Sequence, residues 1–197
     1  MEDKYKTSLP TDILYSILVC VPFAELDIYF DGLLLPNDVR EQLKKRIHKH
    51  RLKIVTNNEN TSYYVEGFLH NSYGPARVWQ SGTEEWYQYG LLHRLDGPAY
   101  TNSRGVKEWW VNGKRHRLDG PALEYADNRK EWFINGKTHR LDGPAVEYAD
   151  GGKEWLINGS RHRIGGPAIM YPNGKSIYYL DGEIYSKKQY NQLTRIR

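Results

Sequence analysis

A block of 23 residues recurs along this chain, and that period constrains the fold more than any single motif. Aligned on the glycine that opens each block, full units begin at Gly67, Gly90, Gly113, Gly136 and Gly159, and Gly182 opens a truncated sixth. The fourth unit carries Gly136, His139-Arg140, Asp142-Gly143-Pro144-Ala145, Tyr148, Asp150-Gly151 and Glu154-Trp155-Leu156-Ile157-Asn158, and the third and fifth differ little from it. The first is worn but keeps His70, Gly74-Pro75-Ala76, Gly82 and Glu85-Trp86. Tyr63 stands four residues before Gly67, where later units have Trp, so a half-unit begins near Ile54. A fixed period of this length signals supersecondary units that bury a core only by stacking on their neighbours.

Each unit reads as a β-hairpin. The dipeptides Asn135-Gly136 and Asp150-Gly151 are type I′ signals, because that turn needs φ > 0 at both central residues. In the third unit Asn128 stands at the glycine position, and Asn tolerates the left-handed region best after Gly. Between the turns, Leu123-Glu124-Tyr125 and Lys130-Glu131-Trp132-Phe133-Ile134 alternate with the period of two that marks strands. Pro121, Pro144 and Pro167 follow Gly and open a strand, where a missing N–H costs least. Two strands and two turns per unit then meander into the next unit. At ~4.8 Å per strand, a unit advances the sheet by roughly 10 Å and five units by about 50 Å. The expected fold is mainly β: an elongated single antiparallel meander sheet over residues 54–185.

Alternation also assigns faces. Trp86, Trp109, Trp132 and Trp155 stack along one face, continued by Tyr63 and Tyr178 and shared with Val111, Ile134, Ile157 and Leu180. Tyr87, Trp110, Phe133, Leu156 and Tyr179 point to the other. Both faces therefore carry aromatic groups, and Tyr87, Trp110, Phe133 and Tyr179 become candidates for partner binding. Repeat sheets need capped ends. Ser186-Lys187-Lys188-Gln189 has the form of a capping box, which opens a helix over 186–197 with Tyr190 and Leu193 facing the last strand.

Residues 1–53 read as a small helical bundle. Ile13, Leu14, Ile17, Leu18 and Val21 form a helical apolar stripe. Pro10 suits the first turn and Pro22 ends the helix. Asn37 caps a further helix with Val39, Leu43 and Ile47 on its buried face. From Asp38 to Lys53 seven basic residues oppose two acidic ones, whereas the whole chain carries +4. Such a run can mark a nucleic acid or an anionic membrane, but the simpler reading is the solvated face of a packed helix. One cysteine, Cys20, excludes an internal disulfide framework and fits a reducing compartment. No apolar run reaches the ~18 residues of a membrane span, and Met1-Glu2-Asp3-Lys4 is no basic leader, so a cytoplasmic protein is expected.

The chemistry of the repeats reads as scaffold. His70, His93, His116, His139 and His162 recur once per unit, so neighbours lie roughly 10 Å apart, too far to share an ion with ligands at ~2.1 Å. The better reading is a turn clamp, in which His and Arg beside Asp96, Asp119 or Asp142 fix the link between hairpins. Glu85, Glu108, Glu131 and Glu154 stand beside Lys107, Lys130 and Lys153 and read as cross-strand pairs of ~0.2–1 kcal/mol each. A catalytic site is a singular constellation, and no P-loop, nucleophile elbow or zinc-type spacing occurs. No enzymatic activity, metal, cofactor or small-molecule substrate is expected.

Two stretches resemble known families. Leu9-Pro10-x-x-Ile13-Leu14-x-x-Ile17-Leu18-x-x-Val21-Pro22-x-x-x-Leu26 resembles the first half of an F-box, a helical module that docks on the Skp adaptor of cullin-RING ubiquitin ligases. The resemblance implies that Leu9, Pro10, Ile13, Leu14, Ile17 and Leu18 bind such a partner; an ordinary helical cap is the alternative. Roughly residues 60–185 resemble MORN-type repeats in the variant Gly-Lys-x-His-Arg-x-x-Gly-Pro-Ala…Tyr…Gly…Glu-Trp-x-x-Asn. Repeats of this kind behind an F-box-like start are similar to gene products of large DNA viruses such as marseilleviruses. Together the resemblances imply a protein–protein adaptor acting in host cytoplasm. A structural or virion-associated scaffold is the second reading, and contact with membrane or nucleic acid through residues 38–53 is the third.

Overall fold

A computed structural model describes residues 36–195, with the helix backbone alone for 47–51. The stripe from Leu9 to Val21, and with it the F-box-like segment, lies outside the described residues. Within them the chain is mainly β: a fourteen-stranded antiparallel meander, one helix at Asn37–Arg51 (α1) and one at Lys187–Thr194 (α2). The chain divides into two compact units, and α1 belongs to the first while residues 54–64 and 68–195 form the second.

In α1, Leu43 is fully buried and Val39 half-buried, as the periodicity predicts. Asn37 does not cap it. The cap position is Pro36, whose extended backbone turns its carbonyl onto the Arg40 N–H at 3.0 Å, with no side-chain cap bond. A proline already has the backbone angle needed there, and the helix therefore starts one residue earlier than the Asn signal indicates. Asp38 in the first turn complements the positive helix end.

Each repeat unit is bent at its tryptophan. The run Lys130–Ile134, continuous in the sequence pattern, is split between two ladders. Lys130–Glu131 lies in the long sheet between Leu123–Glu124 and Val146–Glu147. Phe133–Ile134 pairs instead with Lys137–Thr138 in a separate two-stranded hairpin. At the bend, Trp132 N–H donates to Ala145 O at 2.9 Å, and Trp132 O accepts the His139 N–H at 3.0 Å. The same handover occurs at Trp86, Trp109 and Trp155. A unit thus adds two strands to the sheet and one hairpin beside it. Single bonds such as Gly136 N–H to Arg115 O, 2.8 Å, tie each hairpin to its predecessor.

The two turns of a unit are of different kinds. At Asn135-Gly136 both residues have positive φ, 50° and 80°, as a type I′ turn requires. At Asp150-Gly151 only Gly151 does, at 90°, so the expected type I′ turn is absent there. Gly151 N–H bonds Tyr148 O at 3.0 Å and Tyr148 N–H bonds Gly152 O at 2.9 Å, which makes a three-residue loop ending in a left-handed residue. The Asp150 carboxylate accepts the Gly152 N–H at 2.9 Å and so braces the loop from within. Asn128, φ 72°, fills the left-handed place in the third unit.

The core is thin and built on a small residue. Ala76, Ala99, Ala122, Ala145 and Ala168 are all fully buried, with Leu123, Val146 and Ile169 beside three of them. At the C-terminal end α2 starts on a complete capping box between Ser186 and Gln189. Tyr190 packs on Tyr178 with ring centres 4.8 Å apart; its hydroxyl donates to Arg163 O and accepts from Gly166 N–H, both at 2.9 Å. Leu193, expected to face the last strand, is 44% exposed, because Tyr190 alone fills that contact.

Candidate functional site

Cross-strand register sorts the repeat residues onto two faces. One row runs Lys107, Glu124, Lys130, Glu147, Lys153, Met170, so the lysines face Glu124 and Glu147 across the strands. The other runs Glu108, Leu123, Glu131, Val146, Glu154, Ile169. The expected pairing of Lys107, Lys130 and Lys153 with Glu108, Glu131 and Glu154 therefore fails: neighbours in a strand point to opposite faces.

The first face centres on an arginine. Arg94, Arg117, Arg140 and Arg163 lie over the rings of Trp86, Trp109, Trp132 and Trp155, with the guanidinium carbon 3.8, 4.0, 4.1 and 3.7 Å from the ring centre. The tryptophans do not stack on one another, contrary to the sequence expectation. Units ~10 Å apart exceed the 4.5–7 Å range of ring pairs, and a guanidinium covers each ring instead. The same arginine reaches two residues on to a carboxylate: Arg94 to Asp96 at 2.8 Å, Arg117 to Asp119 and Arg140 to Asp142 at 2.9 Å. Its Nη1 donates to the proline carbonyl four residues on, at 3.1–3.3 Å. These bonds to arginine hold the carboxyls of Asp96, Asp119 and Asp142 below the usual carboxylate range. The close approach explains the glycine of Gly-Pro-Ala: a Cβ on Gly97, Gly120 or Gly143 would lie 3.0, 2.9 or 2.8 Å from the arginine Cζ.

Between successive arginine loops lie three similar cavities of about 680, 540 and 540 Å³. Trp109 and Val111, Trp132 and Ile134, and Trp155 and Ile157 line them in turn. Along their rims Leu95, Leu118, Leu141 and Ile164 are 79, 78, 78 and 57% exposed. Strand alternation does not single out these four residues. Their signal was present: an aliphatic residue recurring every 23 positions inside a loop, beside charged neighbours and outside the strand alternation. A row of exposed aliphatics bordering cavities of mixed lining, with Trp and aliphatic side chains beside Arg, Asp and His, marks an interaction surface.

The opposite face is occupied by its own contacts. Glu85, Glu108, Glu131 and Glu154 pair with Arg77, Arg115, Arg129 and Arg161. Trp110 Nε1 donates to Glu108 at 2.9 Å and Tyr148 Oη to Glu154 at 2.9 Å. Burial, followed by the Glu154 bond, pushes the Tyr148 hydroxyl up to about 12, and burial raises that of Tyr87. The candidates Tyr87, Trp110, Phe133 and Tyr179 all lie half-buried here, with Arg115 near Trp110 and Phe133 and Arg161 near Tyr179.

The histidines tie one unit to the next. Nδ1 of His70, His93, His116, His139 and His162 lies 3.1–3.2 Å from the backbone N–H of Tyr89, Asn112, Asn135, Asn158 and Asp181, nineteen residues on. Each acceptor thus caps the left-handed first residue of the following hairpin turn. His reaches forward to a turn while Arg, not His, engages the aspartate. At His162 the partner side chain is a carboxylate, with Asp181 Oδ1 2.7 Å from Nδ1. Among the described residues no three His, Cys, Asp or Glu side chains gather as metal ligands would. No described helix is long and apolar enough to cross a membrane. Arg40, Lys44, Lys45 and Arg46 of the basic helix each have an interaction partner. Compared with known proteins, the chain matches no family model and no curated protein.

Proposed function

We propose that the chain is a non-enzymatic adaptor that holds a target protein along the arginine-loop face of its repeats. On this reading, the F-box-like segment from Leu9 to Leu26 recruits a Skp-type subunit of a ubiquitin ligase. The observation that carries the reading is the row Leu95, Leu118, Leu141 and Ile164, exposed beside three like cavities and repeated with the units. Exposed aliphatics in register suit an extended partner that makes the same contact several times. The half-buried aromatics of the opposite face, already packed with Glu and Arg, suit it less.

Affinity purification from eukaryotic cells, with and without residues 1–50, tests the division of labour. The full chain should recover Skp and a target, and the truncated chain the target alone. Leu118→Ser with Leu141→Ser should release the target and keep Skp, whereas Leu9→Ala with Pro10→Ala should do the reverse. Recovery of neither protein by the full chain sinks the adaptor reading and moves a structural scaffold ahead of it.

A further inference from the structure

The fifth unit lacks two groups that the third and fourth units share. In the third and fourth units the arginine meets two carboxylates: Asp119 and Glu124 around Arg117, Asp142 and Glu147 around Arg140. In the fifth, Gly165 replaces the aspartate and Met170 the glutamate. Arg163 keeps the ring contact with Trp155 and the 3.1 Å bond to Pro167 O, but its Nη1 reaches only Met170 Sδ, at 3.7 Å, where the sisters reach Glu. Among the described residues no carboxylate lies within 4.0 Å of it. The space is open as well: a Cβ on Gly165 would meet nothing within 4 Å. Arg163 and Ile164 also border the 540 Å³ cavity lined by Trp155 and Ile157.

We propose that Arg163 is a docking point for an acidic side chain of a protein partner, which takes the place that Asp119 and Asp142 hold in the sister units, while an adjoining apolar residue rests on Trp155 and Ile157. The inference deepens the protein-binding reading above and rests on it. The sister loops supply the template, with guanidinium Nε to carboxylate oxygen at 2.8–2.9 Å. A guanidinium pre-positioned on an aromatic ring loses little freedom when it pairs with a carboxylate fork. Charge points the same way: Asp96, Asp119 and Asp142 are held ionised by this geometry, and the fifth arginine carries the same fork without its anion.

The side-chain Nε–H resonances of Arg94, Arg117, Arg140 and Arg163 in the full-length protein give the test and its internal controls. The probes are acetate and the blocked peptides acetyl-Glu-Leu-amide and acetyl-Gln-Leu-amide. Acetate should shift Arg163 and leave the other three in place. The Glu peptide should do so at about tenfold lower concentration, and the Gln peptide should have no effect. Gly165→Asp, which adds a carboxylate two residues after Arg163 at a backbone φ of 90° that strains any side chain, should silence the Arg163 response while the resonances of units two to four stay put; if that variant misfolds, the wild-type titrations decide alone. A response shared by all four arginines, no response at Arg163, equal potency of the Glu and Gln peptides, or a Glu peptide no better than acetate would each overturn the proposal. These titrations use purified protein, so their failure is separate from a failure to recover Skp or a target from cells.

Discussion

The units that open at Gly113 and Gly136 and the unit that opens at Gly159 use the same arginine differently. Inside the array it is shared among a ring, a proline carbonyl and two carboxylates; at the end it keeps the ring and the carbonyl only. The first unit goes further, with Asn71 in the arginine's place, yet Asn71 Nδ2 still donates to Pro75 O at 3.0 Å. The tie to the proline carbonyl is thus common to every unit and shapes the loop. The ring contact comes next, and the carboxylates are trim that an end unit can do without. Tyr190 adds what the last loop needs in their stead, a hydroxyl bonded to both Arg163 O and Gly166 N–H.

That ranking can be broken by measurement. Trp132→Ala should have the largest effect, about 3 kcal/mol by chemical denaturation, near the low end for buried aromatics because the ring is half-buried under Arg140. If Arg140→Gln costs as much, the ring is not the anchor. Gly143→Ala should follow, at ~1–3 kcal/mol, because its methyl would sit 2.8 Å from the Arg140 Cζ and expel the guanidinium. Gly166→Ala, with 3.1 Å to Arg163, should cost less, and equal costs would remove the distinction between internal and end units. Tyr190→Phe should cost about 1–2 kcal/mol and speed amide exchange at Gly166 but not at Gly143, which it does not touch. His139→Ala should cost about 1 kcal/mol, for one acceptor at a solvent-exposed turn.

The smallest effect concerns acid. Asp96, Asp119 and Asp142 have folded pKa values below the unfolded value of ~3.9, so they favour the native state above that pH, and the contribution vanishes as pH falls through the lower folded values. All three side chains are exposed, and the gain is small. Carbon-13 titration should place their midpoints below the ordinary aspartate value. Ordinary midpoints would show that the arginine fork does not select an ionised carboxylate.

Most of the scaffold was legible because it repeats. Asn135-Gly136, Asn128, the alternation of Trp132 with Phe133 and the capping box at Ser186 are local signals, and each appears where its chemistry places it. The bend at each tryptophan was not legible. A period-two pattern runs straight through Lys130–Ile134, and only the partner strands reveal that the ladder changes hands there. The Arg140–Trp132 contact was hidden for a related reason, since the two are eight residues apart across a turn, and alternation assigns faces without saying what reaches over an edge. The exposed leucines were not legible from alternation, because Leu118 and Leu141 sit in loops that it does not describe.

The forward reach of these ties sets an order in time. Trp132 waits for Ala145, His139 for Asn158 and Arg163 for Tyr190, the last 27 residues away and the longest of the described hydrogen bonds. A chain emerging from the ribosome therefore completes one unit as the next appears, with no distant segment required. Contacts this local give fast closure and leave little apolar strand waiting in the open. The unit at Gly159 closes last, because its loop is completed only by the Tyr190 hydroxyl of α2.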